Sequence, residues 1–402
     1  MLAKRMSLLA DSGTAAAREA ATAAVATGRQ IIDLASGEVI IEPPSSVREG
    51  AIAAINAGTS RYTDSIGLMP LRKAVAEKLS AQTGLSWNAD EIAITAGAKQ
   101  GLLDAALAVL DPGDEAIIIR PCWPTFPYQV LLAGAKPAFV DAHSPTYVPD
   151  MDAIRAAVTP RTKVIIINSP NNPTGAVYDR TTLQAIGDLA INYKLWIVSD
   201  ECYSSFVFTG TRHESIVMTH PGVRSRTILV NAFSKELVIT GWRLGYLAAP
   251  SEIVSAAKKL QSHTTSNANV IAQHAILHHL QVGDGSFERE MHQRLSVARN
   301  KGLLLLSGLH DVATPGAKGS FFLYLDLSRL VSAQPATGRL RSTDDVARLL
   351  LDEAGVASVA GSTFGDVNGL RLSFGATPDL LELGLKRVVE TLNSLKTRRP
   401  AA

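Results

Sequence analysis

The run Asn231-Ala232-Phe233-Ser234-Lys235, followed by Thr240-Gly241-Trp242-Arg243-Leu244-Gly245, places a lysine just past a strand-like segment and an arginine eight residues later, at the start of another. The flanking segments, 227–230 and 244–249, are continuously apolar rather than alternating, the pattern of strands covered on both faces. The pattern extends upstream. Residues 92–95, 115–120, 136–140, 163–168 and 195–200 read as short strands, separated by helical runs over 98–110, 125–133, 150–158 and 179–193. Such alternation predicts an α/β fold with a mostly parallel sheet flanked by helices. After Pro250, a long helical stretch to about Gln281 and another over 287–306 precede strands at 321–327 and 370–374 and helices at 343–354 and 380–395. This second succession predicts a smaller α/β domain.

A chain of 402 residues exceeds one compact core, and 46% apolar residues supply ample material for burial. A net charge of +2 argues against nucleic acid or an anionic membrane as the main partner. Cys122 and Cys202, the only two cysteines, build no disulfide framework and suit a reducing compartment. No apolar run reaches the length of a membrane span, and Asp11, Arg18 and Glu19 interrupt any signal-peptide core after Lys4 and Arg5. A cytoplasmic protein is expected. The tail Lys396-Thr397-Arg398-Arg399-Pro400 is expected to fray and carries no assigned role.

Several residues are placed where chemistry is done. Asp200 ends an apolar strand, and ligands of open α/β sheets bind at the carboxyl ends of strands. Thr95-Ala96-Gly97-Ala98-Lys99-Gln100 runs from strand into helix, so the first helical N–H groups would face an anion, with glycine allowing close approach. A lysine such as Lys235 needs a lowered pKa or covalent capture to do chemistry. Each feature taken alone is ordinary: a surface lysine, a capping carboxylate, a common turn. No metal-ligating set is read.

Together with Ser169-Pro170-Asn171-Asn172-Pro173-Thr174-Gly175 and Ser199-Asp200-Glu201-Cys202-Tyr203, these blocks resemble the class I/II aminotransferases, which are fold-type I pyridoxal-phosphate enzymes. The resemblance runs from about Ser12 to the last helix, and Ser12-Gly13-Thr14 and Lys99 are similar to the aspartate/prephenate aminotransferase subgroup. It implies a large cofactor-binding domain over 45–297 and a small C-terminal domain over 298–402, with segment 1–44 packed on the latter. It implies that Lys235 captures the aldehyde of pyridoxal 5'-phosphate, Asp200 pairs with the ring nitrogen, and Tyr203 and Asn172 contact the phenolic oxygen. Trp123 would stack on the ring, while Gly97, Ala98, Lys99, Ser234 and Arg243 would surround the phosphate. Tyr62 would reach the phosphate of a neighbouring subunit, giving a homodimer with shared sites.

Arg371 would fork the substrate's α-carboxylate, Gly37 would line the pocket, and Lys99, Ser12 and Thr14 would lie at the distal end. The chain departs from its relatives at Ala232, where a serine is usual, and at Val39-Ile40-Ile41, where proline, aspartate and phenylalanine are usual; that stretch is expected to alter the pocket entrance. The implied reaction moves an amino group from an L-amino acid, aspartate or another dicarboxylic donor, to a 2-oxo acid such as 2-oxoglutarate. An aromatic, basic or secondary-metabolite donor stays open, as does a lyase, cyclase or oxidase on the same scaffold. A nicotinamide dehydrogenase is disfavoured because no Gly-x-Gly-x-x-Gly follows an early strand. A DNA-binding module is not expected in the short stretch before Ile31.

Overall fold

Seven strands lie side by side in the order Ile92–Thr95, Gly245–Ala248, Thr227–Ala232, Trp196–Asp200, Thr162–Asn168, Glu115–Arg120 and Lys136–Asp141. Only Gly245–Ala248 opposes its neighbours; the other six point the same way, so the sheet is mostly parallel as expected. The computed structural model describes residues 2–333 and 340–397, which leaves 398–402 of the basic tail outside the described residues. Apolar, largely β-branched runs such as Ile165-Ile166-Ile167 are buried on both faces of the sheet. Helices Ala98–Val109, Arg180–Asn192 and Ser251–Thr264 are among those that cover it.

Strand register aligns the carboxyl ends that matter. Asn168 pairs with Asp200, Ala232 pairs with Gly245, and Gly245 pairs with Thr95. A single edge of the sheet therefore carries Asn168, Asp200, the approach to Lys235 and the turn into the helix at Ala98.

A second core gathers Leu34 and Val39 with Phe321, Phe322, Leu370, Leu372 and Phe374. Its antiparallel sheet comprises Val359–Ala360, Gly369–Ser373 and Phe322–Asp326, and the short strand Ile32–Asp33 pairs in parallel with Val356–Ala357. Helices Ser286–Leu306 and Pro378–Thr397 pack beside it.

Two expectations are corrected. The single helical stretch after Pro250 is two helices, Ser251–Thr264 and Val270–Val282. Ser266 adopts a left-handed φ of 62° between them, and the Asn269 side chain caps the second by accepting from the Ala272 N–H at 3.0 Å. The expected helix over 343–354 is α-helical only over Thr343–Leu349 and then widens to a π turn, Leu350–Ala354, closed by Gly355. Helices Gly13–Ala26, Ser45–Asn56 and Met69–Thr83 add to those read from the sequence. Among the described residues, no helix is long and apolar enough to cross a membrane.

Candidate active site

A cavity of about 690 Å³ opens over the carboxyl edge of the seven-stranded sheet. Strand Thr227–Ala232 runs directly into the helical turn Phe233–Glu236, which delivers Lys235 to the cavity wall. Its Nζ donates to the Gly37 carbonyl at 2.7 Å. Burial pulls the ammonium down from 10.5 to about 8, so an appreciable neutral fraction exists near neutral pH.

Asp200 ends the adjacent strand and is only 4% exposed. Its Oδ1 accepts from the Cys202 N–H at 3.1 Å, and among the described residues it has no ion-pair partner. Burial pushes the carboxyl up to about 6, with the backbone bond and Lys235 pulling the other way. Asn168, one strand over, donates its side-chain N–H to the Asp200 carbonyl at 3.0 Å and accepts the Asn172 N–H at 2.9 Å. That pair carries Asn172 to the wall beside Tyr203. Burial raises the Tyr203 phenol above its ordinary pKa, and Asn172 opposes that shift by a hydrogen bond.

Arg371 comes from the second sheet and is buried at 2% exposure without a carboxylate partner. Its Nη1 donates to Asn172 Oδ1 at 2.9 Å and its Nη2 to the Ala35 carbonyl at 2.7 Å, while its buried Nε has no hydrogen-bond partner. The guanidinium carbon lies 4.3 Å from the Phe322 ring and 5.1 Å from that of Phe364. Burial draws its pKa from 12.5 to about 10, which still leaves a full positive charge at neutral pH. A buried cation of this kind is costly unless an anion meets it.

At the far corner, Arg243 takes a left-handed φ of 57° and donates to the Thr240 carbonyl at 2.8 Å. Its Nη2 would lie 2.4 Å from a Cβ at position 97, and Gly97 has φ +77°, so both space and backbone require glycine there. Beyond it the helix opens at Ala98, with the unpaired N–H groups of a helix start. Lys99 sits 5.0 Å above the Trp123 ring, and burial and Arg243 both lower its pKa. Ser12, also on the wall, caps helix Gly13–Ala26 and pairs with Thr14 through hydroxyls 2.9 Å apart.

The cavity thus brings together Ser12, Thr14, Gly37, Ala98, Lys99, Trp123, Asn172, Asp200, Tyr203, Ser234, Lys235, Arg243 and Arg371. Gly97 stands behind Arg243 rather than on the wall, and Tyr62 lies off the cavity, 86% exposed. The expected effect of Val39-Ile40-Ile41 is not found on the wall: Val39 is buried in the second core, Ile40 is exposed, and none of the three lines the cavity. Sequence reading missed Arg18, Glu38, Asn168, Thr240 and Phe322. The strand-end rule that found Asp200 applies equally to Asn168. Arg18 is four residues after Thr14 and so falls on the same helix face. Glu38 accepts a hydrogen bond from the Thr240 hydroxyl, which ties the two walls together.

A phosphorylated pyridine aldehyde fits this wall. Asp200 is a buried carboxylate that a protonated ring nitrogen would neutralise, Lys235 is an amine poised near neutrality, and Arg243 beside a helix start is a cationic corner for phosphate.

The family described as Aminotransferase class I and II matches residues 29–388. The chain is 36% identical to the aspartate aminotransferase of Geobacillus stearothermophilus, over 96% of this chain and 98% of that protein. It is 35% identical to the bifunctional aspartate aminotransferase and glutamate/aspartate-prephenate aminotransferase of Petunia hybrida, over 99% of this chain and 84% of the plant protein. It superposes on the aspartate aminotransferase of Thermus thermophilus, solved with maleate, with a TM-score of 0.90 at 33% identity, covering 97% of this chain and 99% of that one.

Proposed function

The chain belongs to the class I and II aminotransferases, which work with pyridoxal 5'-phosphate, and from that membership we propose that it moves the amino group of aspartate, or of another dicarboxylic amino acid, to a 2-oxo acid such as 2-oxoglutarate. One observation carries the acidic substrate. Among the described residues the cavity is lined by five cations, Arg18, Lys99, Lys235, Arg243 and Arg371, against two acids, Glu38 and Asp200. A phosphate and the two carboxylates of a dicarboxylic substrate supply the anions that this excess asks for.

When bound, pyridoxal phosphate supplies an aldehyde for covalent capture of amines and a protonated ring that draws electron density from the substrate's Cα. The protein's groups do the rest. With the cofactor bound, Lys235 Nζ would hold it and, once freed by the substrate amine, would serve as the base that takes the Cα proton and as the acid that gives it back two atoms along. Asp200 would keep the ring nitrogen protonated, because a carboxylate this deeply buried gains most from a cation in contact. Asn172 and Tyr203 would hold the ring's oxygen, and Trp123 would pack on the ring. Arg243, Ser234 and the helix start at Gly97-Ala98-Lys99 hold the phosphate.

Arg371 receives the α-carboxylate with its remaining N–H groups, a planar fork that lysine cannot supply. The backbone of Gly37 closes the wall next to it. Lys99, Ser12 and Thr14 read the distal carboxylate. Residues 45–297, which provide Lys235 and Asp200, would form the large unit, and 298–402 with segment 1–44, which provide Arg371 and Ser12, the small one; their closing on the substrate would exclude water. The exposed Tyr62 reaches the phosphate of a second copy, so the working unit is a homodimer. Two free cysteines, one of them buried, suit a reducing cytoplasm.

The test is a steady-state assay of the loaded enzyme with aspartate, glutamate, tyrosine and arginine as donors. Aspartate or glutamate is expected to exceed tyrosine and arginine in kcat/KM by roughly tenfold or more, the worth of one charge-assisted contact. Preference for tyrosine or arginine overturns the substrate. Release of ammonia and pyruvate without a 2-oxo acid overturns transamination.

A further inference from the structure

We propose that Arg18 is a second cation for the substrate's distal acid group, working beside Lys99 and supplied by the N-terminal helix. The inference rests on the acidic-substrate reading and goes beyond it by naming a residue outside the matched family region, residues 29–388. Arg18 lines the cavity. Its backbone carbonyl accepts the Thr22 hydroxyl, but among the described residues its guanidinium makes no hydrogen bond or ion pair.

The placement is built rather than incidental. In helix Gly13–Ala26, Thr14, Ala15 and Arg18 share one face, and all three line the cavity. The helix start is seated by Gly13, where a Cβ would come within 2.5 Å of the Thr363 hydroxyl, so the first turn lies tight against the turn Gly361–Phe364. Ser12 caps that turn by accepting the Ala15 N–H at 3.4 Å. Lower on the same helix, Ala21 and Ala24 are buried. The helix is thereby held with Arg18 toward the cavity.

The charges that face this end leave Arg18 available. Of the two acids on the wall, Glu38 accepts from Thr240 and Asp200 is buried at the sheet edge. Arg243 is turned toward the Thr240 and Ala96 carbonyls, and Arg371 is tied to Asn172 and Ala35. Lys99 and Arg18 are then the cations left for a substrate side chain. Two donors for one carboxylate favour a diacid over a neutral or aromatic side chain, and a planar guanidinium adds a directional fork to the point charge of lysine.

The experiment measures binding of succinate and butyrate, unreactive four-carbon acids that differ by one carboxylate, to the cofactor-loaded dimer by calorimetry. Parent enzyme, Arg18→Gln and Arg18→Lys are compared, with thermal midpoints as a folding control. Arg18→Gln is expected to weaken succinate by roughly tenfold while butyrate stays within about twofold, and Arg18→Lys to recover part of the loss. Unchanged succinate affinity in Arg18→Gln overturns the role of Arg18 alone. An equal loss for both acids overturns it as well, since it would mean a general defect of the helix. A parent that binds succinate no better than butyrate overturns the acidic-substrate reading and this inference with it.

Discussion

Lys235→Ala is expected to give a folded protein that binds the cofactor without holding it covalently and turns over roughly 10⁴-fold more slowly, the upper range for loss of a positioned general base. Folding should survive, because among the described residues the lysine headgroup's one hydrogen bond is to the Gly37 carbonyl on the cavity wall. Turnover should not, because the other cavity lysine, Lys99, sits over Trp123 on the first turn of the helix that follows Gly97. Two readings check this: the visible absorbance of the lysine-bound cofactor, and the site of label after borohydride reduction of the parent. Label on the peptide holding Lys235 is expected. Label elsewhere, or a variant with near-normal turnover, contradicts the assignment.

Asp200→Asn is expected to lower turnover by roughly 10³-fold, the loss seen when a preorganised electrostatic partner is removed from a reacting centre. The same substitution should stabilise the cofactor-free protein above pH 6. The folded carboxyl titrates near 6 instead of 3.8, so between those values the native state keeps a proton that the unfolded chain has released. Stability of the cofactor-free protein therefore falls as pH rises from about 4 to about 6, by up to ~3 kcal/mol for one such group. Asparagine has no such titration, and its pH–stability curve should lose that step. Denaturant midpoints of the cofactor-free proteins at about pH 3.5 and about pH 7, on either side of that window, separate the cases. A variant that keeps turnover would show that ring-nitrogen pairing is not needed; one that keeps the step would place the titration on another group.

The central sheet was legible because its inner strands are buried on both faces, which writes continuous apolar runs such as Ile165-Ile166-Ile167 into the chain. The break between the helices at 264 and 270 was not. It uses Ser266 in a left-handed conformation within a polar run that holds no glycine or proline. The N-terminal helix was equally hidden: it is alanine-rich and buries only Ala21 and Ala24, so its sequence carries little of the stripe that marks a helix packed on a core.

The site divides the same way. Lys235, Asp200 and the turn at Gly97 lie at strand ends, where local order alone predicts a ligand edge. Arg371 and Phe322 reach the cavity from the second sheet, and Arg18 reaches it from a helix seated on Thr363. Their convergence is a product of packing between distant segments, which no local pattern encodes. Resemblance supplied Arg371 and pointed to Thr14, one helical turn before Arg18; Phe322 emerges only from the packed fold.

The most direct measurement adds aspartate alone to the loaded enzyme, with no 2-oxo acid present, and follows the cofactor spectrum while products are assayed. Complete conversion to the amine form of the cofactor is expected, with release of about one oxaloacetate per chain, since with no 2-oxo acid present nothing takes the amino group from the cofactor and transamination stops after half a cycle. Continued release of ammonia, or an unchanged spectrum at saturating aspartate, would contradict it.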